Sequence, residues 1–101
     1  MRHWPPLPRE VQGAGGTITV HLVDTLEGGD ADNDVLGIFR ALTRRIEILR
    51  SLRGDQRWLV FYHELAHAAL WDSGAANALN GPAEEIVCDA IATARLRERF
   101  G

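Results

Sequence analysis

Asp55-Gln56-Arg57-Trp58-Leu59-Val60-Phe61-Tyr62-His63-Glu64-Leu65-Ala66-His67-Ala68-Ala69-Leu70-Trp71 contains no glycine or proline, and large apolar residues run almost continuously along it. Such a pattern predicts a helix buried on most sides. Gly54-Asp55 is its expected start, with Asp55 as the N-cap, and Ser73-Gly74 its end. Two histidines and a glutamate inside so apolar a helix are costly unless they are paired or hold a metal. Four residues advance a helix by little more than one turn, so His63 and His67 share a face with their rings ~6 Å apart. At that separation both imidazoles can bind one tetrahedral zinc at ~2.0–2.1 Å. Glu64 lies about 100° round the helix, placed to reach a water on the metal rather than the metal itself. A glutamate so placed can take a proton from that water and pass it on to a leaving amine.

A catalytic zinc needs a third protein ligand and one open position. A third histidine six residues after His67 would mark the metzincins, but that position is Ser73, and Leu70 stands where their glycine is expected. Further along, Asn80-Gly81-Pro82 predicts a second helix, with Pro82 at its first position and its end near Arg99. Glu85 lies far enough beyond His67 for the chain to finish one helix, turn and return antiparallel, and it is the preferred third ligand. Asp89 follows four residues later on the same helical face, where a carboxylate can accept the spare N–H of a ligating histidine. Glu84 competes with Glu85 for the ligand role, but only Glu85 has a carboxylate at the fourth following position. Cys88 shares part of the Glu85 face and reads as a small apolar core residue, because a thiolate ligand would close the site.

Upstream, residues 1–16 hold all but one of the prolines and end in Gly13-Ala14-Gly15-Gly16. They read as a flexible arm on a glycine hinge, from which Trp4 and Leu7 can still pack on the body. Residues 17–101 then form one small domain. Thr17 to Val23 alternates, with Ile18, Val20 and Leu22 on one face, and predicts a half-buried strand. Asp24 to Asp34 is acidic and lacks an apolar period, as expected of a surface loop. Residues 35–50 fit either one helix or two short strands, Gly37 to Arg40 and Arg45 to Leu49, around a polar turn.

Composition narrows the function. The net charge is −3, so no basic field points to nucleic acid or an anionic membrane. Arg40, Arg44, Arg45, Arg50, Arg53 and Arg57 cluster, and read as a solvated face balanced by acidic neighbours. No stretch has the ~18 apolar residues of a membrane span, and the N-terminus has no apolar core of a secretory signal. A single cysteine fits a reducing compartment, so a cytoplasmic location is expected.

The motif His63-Glu64-Leu65-Ala66-His67, followed by Glu85-Ile86-Val87-Cys88-Asp89, resembles the gluzincin zinc peptidases. With the run Leu36-Gly37-Ile38-Phe39 and Arg45-Ile46-Glu47-Ile48 before it, the chain looks most like the ImmA/IrrE-type peptidases of bacteria and phages and the single-domain minigluzincins. The resemblance covers about residues 17–100 and is specific at five positions. It implies a zincin-like α+β fold, in which a short twisted three-stranded sheet packs on the motif helix and a second, C-terminal helix. That favours the hairpin for residues 37–49, whose edge strand would bind substrate. It also implies one zinc per chain held by His63, His67 and Glu85, with Glu64 as general base and Asp89 as the partner of His63. The implied activity is hydrolysis of a protein or peptide by a zinc-dependent endopeptidase. Larger gluzincins carry an oxyanion-stabilising histidine or tyrosine on a second subdomain, for which Tyr62 and His21 are the only substitutes. His3, in the arm, could cap the zinc as in self-inhibited minigluzincins. The competing expectation is a non-catalytic module in which zinc staples two helices and the surface binds a partner, as suits so small a domain.

Overall fold

The computed structural model describes residues 3–27 and 36–101. Most of the expected acidic loop, and the first two residues of the arm, lie outside that range. The elements in chain order are strands β1 (Glu10–Gly13), β2 (Gly16–Val23), β3 (Gly37–Arg40) and β4 (Arg45–Leu49), then helix α1 (Gly54–Ser73), a 3₁₀ turn (Ala75–Ala78) and helix α2 (Gly81–Phe100). The ambiguous stretch is therefore a hairpin of two strands. α1 begins before Asp55: Arg53 is the N-cap, and its backbone N–H donates to the Gln56 side chain at 3.3 Å. At its other end Gly74 takes the left-handed conformation, φ 80°, that closes a helix without a Cβ penalty. Asn80 caps α2 through its side chain, which accepts from Ala83 N–H at 2.8 Å.

The sheet has four strands, in the order β1-β2-β4-β3, rather than the expected three. The additional strand comes from the arm. Gly13-Ala14-Gly15-Gly16 is a tight turn, not a hinge, and folds Glu10–Gly13 antiparallel onto β2 with Val11 opposite Ile18. Gly15 N–H donates to Asp72 at 3.0 Å, and Asp72 also receives both Arg44 Nη atoms, at 2.5 and 2.9 Å. One carboxylate near the end of α1 thus ties down two separate turns of the sheet. β4 runs parallel to β2 and antiparallel to β3, which places β3 at the sheet edge.

Ile46 and Ile48 of β4 and Ile18 of β2 are fully buried and form the core with Trp58, Phe61, Tyr62 and Ala68 of α1 and Ala92 of α2. α1 packs against the sheet on one side and α2 on the other. Trp4 of the arm packs on Phe100 at the end of α2 in a tilted arrangement, with ring centroids 4.6 Å apart. The Trp58 indole N–H donates to Pro5 O at 2.8 Å. Gly54 is needed at this contact, because a Cβ there would stand 2.7 Å from Trp4 Cβ. The arm so joins the start of α1 to the end of α2. The arginine cluster is largely paired: Arg40 and Arg45 with Glu47, Arg44 with Asp72, Arg50 with Asp24 and Arg53 with Asp55.

Candidate metal centre

His63 and His67 project from one face of α1 towards the first turns of α2. Their Nε2 atoms are 3.1 Å apart, and the Glu85 carboxylate straddles them, Oε2 3.1 Å from His63 and Oε1 3.0 Å from His67. Atoms bound tetrahedrally at ~2.0–2.1 Å lie about 3.3 Å from one another, so these three fit around one ion with little adjustment. Among the described residues, His63, His67 and Glu85 are the group that could hold a metal.

The far side of each ring explains why the Nε2 atoms face the same point. His63 Nδ1 is 2.7 Å from Asp89 Oδ1, and His67 Nδ1 is 2.5 Å from Glu84 Oε2. An ionised carboxylate only accepts hydrogen bonds, so a neutral ring paired in this way carries its proton on Nδ1 and turns the Nε2 lone pair towards the shared point. In that tautomer two nitrogen lone pairs and a carboxylate converge on one point. A proton satisfies one of these contacts, whereas a divalent cation satisfies all three. Nitrogen and oxygen donors in this number suit zinc.

α2 supplies the carboxylates from its beginning. Glu84 and Glu85 follow Pro82 and the Asn80 cap, at the positive end of the helix dipole, where negative charge is favoured. The sequence weighs Glu84 only as a rival ligand; the structure gives it the other nitrogen of His67. Its position beside Glu85 is the available signal, since neighbouring helical residues point to different sides of a ring.

Glu64 is almost fully buried, and burial pushes its carboxyl up to about 7, with His63 and the backbone N–H of Phe39 opposing the rise and Glu85 adding to it. Phe39 can make that bond because of the register of β3. Leu49 N–H bonds Leu36 O, so in this antiparallel pair alternate residues Ile38 and Arg40 face β4. Gly37 and Phe39 turn their amides to the open edge. Gly37 lets that edge approach α1, since a Cβ there would stand 2.5 Å from Val60 Cγ1 and 3.4 Å from Glu64 Cγ. A glycine within a strand pattern is the sequence signal for such a contact.

Other candidates lie elsewhere. Tyr62 is buried among Trp58 and Phe61 with Arg95 over its ring, and His21 bonds Thr19 Oγ1 at 2.9 Å on the sheet. Neither is among the residues that converge here, and His3 is exposed in the arm. The Cys88 thiol is fully buried and pushed up to about 12 by burial and by the surrounding carboxylates, so it stays protonated. No helix is long and apolar enough to cross a membrane among the described residues. Comparison with protein-family models, curated proteins and solved structures found no match.

Proposed function

We propose that the protein is a zinc-dependent endopeptidase acting on an extended protein or peptide in the cytoplasm. One observation carries the reading: the Nε2 atoms of His63 and His67 and the carboxylate of Glu85 converge within 3.1 Å of one another. His63, His67 and Glu85 would hold one zinc. When bound there, zinc polarises the scissile carbonyl and acidifies an attacking water.

Glu64 would take a proton from an attacking water and deliver it to the leaving amine. Burial raises its carboxyl well above the usual carboxylate range in the metal-free chain, which helps it hold a proton between the two transfers. The Phe39 N–H holds the carboxylate at the cleft, which leaves the Gly37 amide and Phe39 C=O at the β3 edge for an extended chain. Tyr62 and His21 take no part in oxyanion stabilisation, so that task rests on the metal, and low turnover on general substrates follows.

The second reading, a zinc-stapled binding module, is favoured by exposed apolar side chains at Leu42, Trp71 and Ile86. Two steps separate the readings. Elemental analysis of the purified wild type should find about one zinc per chain, lost in Glu85→Ala. A fluorogenic library of extended peptides should then be cleaved by wild type and not by Glu64→Gln, which retains zinc. A wild type without zinc would overturn both readings, and zinc binding without cleavage would leave the module.

A further inference from the structure

The centre is backed by two carboxylates of very different exposure. Asp89, beside His63 Nδ1, is 74% exposed, whereas Glu84, beside His67 Nδ1, is 23% exposed and makes the shorter contact. Water competes freely for Asp89 and little for Glu84, so the charge of Glu84 acts on its imidazole through a less polar medium. Glu84 also sits in the first turn of α2, where its own N–H bonds Asn80 O at 2.9 Å and fixes the place from which its side chain reaches His67.

We propose that Glu84 is a positioning residue of this centre: it holds His67 as the Nδ1–H tautomer, with Nε2 aimed at the point shared with His63 and Glu85, and sets cation affinity more strongly than Asp89 does. The affinity half of this statement rests on the metal-centre reading above. The tautomer half does not, because it concerns the metal-free chain. His67 without Glu84 can turn its proton to Nε2, and a ring in that state cannot ligate through the nitrogen that faces the site.

Two measurements test it. Ring ¹⁵N shifts of the metal-free protein, taken where both imidazoles are neutral, should report Nδ1–H for His63 and His67 in wild type. In Glu84→Ala, His67 should lose that preference and His63 should keep it, with partial recovery in Glu84→Gln. Competition with a chromophoric chelator should then show zinc affinity reduced about 10–100-fold in Glu84→Ala, the range for loss of a ligand's hydrogen-bond partner. Glu84→Gln should fall between, and Asp89→Ala should lose less than Glu84→Ala. Circular dichroism checks the fold, and the isosteric Glu84→Gln decides the matter if the alanine variant fails to fold. An unchanged His67 tautomer, or zinc affinity equal to wild type, would overturn the proposal. If the wild type binds no zinc while Glu84→Ala still shifts the His67 tautomer, the metal reading and the affinity claim are overturned together, leaving Glu84 a positioning residue of His67 alone.

Discussion

Glu64 illustrates how one side chain links stability to chemistry. Its carboxyl is raised from 4.5 to about 7, chiefly by burial. An acid with a raised native value holds its proton longer in the folded than in the unfolded chain. The contribution of Glu64 to the folding stability of the metal-free protein is therefore most favourable below the unfolded value and falls as pH rises towards about 7, then levels. The shift corresponds to roughly 3 kcal/mol. Glu64→Gln removes the cost of burying the charge. In chelator at about pH 8 the variant is expected to exceed wild type in urea-unfolding stability by up to ~3 kcal/mol, and to equal it near pH 4. A variant less stable than wild type at both pH values would show that the carboxylate is not buried at a cost. His63 and His67 lie on the same helical face by the period of the helix alone. The pairing of their Nδ1 atoms required the return of α2.

Among the elements, β3 matters most to the site. It is short and lies at the sheet edge, yet it brings the Phe39 N–H to Glu64 because Gly37 lets it approach α1. Gly37→Ala places a methyl 2.5 Å from Val60 Cγ1. The cost is expected to be about 1–3 kcal/mol by thermal unfolding, as for other overpacked contacts. Peptide cleavage should fall further than that loss predicts from the folded fraction, while zinc content is retained. Undiminished cleavage in a folded Gly37→Ala protein would show that the β3 contact does not position the base. The hairpin could be read in the sequence as one of two possibilities, and the paired strands Gly37–Arg40 and Arg45–Leu49 resolve it.

At the scale of the molecule, the core is small, and two distant devices hold it together. At one end the arm joins the start of α1 to the end of α2 through Trp4, Pro5, Trp58 and Phe100. The proposed zinc joins the same two helices at the other end. Zinc at about one hundred times its dissociation constant should stabilise the fold by ~2.7 kcal/mol and raise the unfolding temperature on the order of 10–20 °C. Chelator should reverse the rise, and Glu85→Ala should show none. An equal rise in Glu85→Ala would place the ion elsewhere.

By itself the sequence determined what depends on short-range geometry. The helical period puts His63 beside His67, Asn80-Gly81-Pro82 starts α2, and alternation marks the strand ending at Val23. It also reached Glu85 and Asp89 as candidates through their spacing. Only tertiary structure decided that Glu10–Gly13 is a strand, because its pairing is with β2 and not with itself. The start of α1 ahead of Asp55, where Gly54 meets Trp4, is a tertiary matter too. The same holds for Glu84 and for Phe39: each meets its partner across at least 17 residues of chain. Residue type and local period do not encode such meetings; they follow from which buried faces pack together.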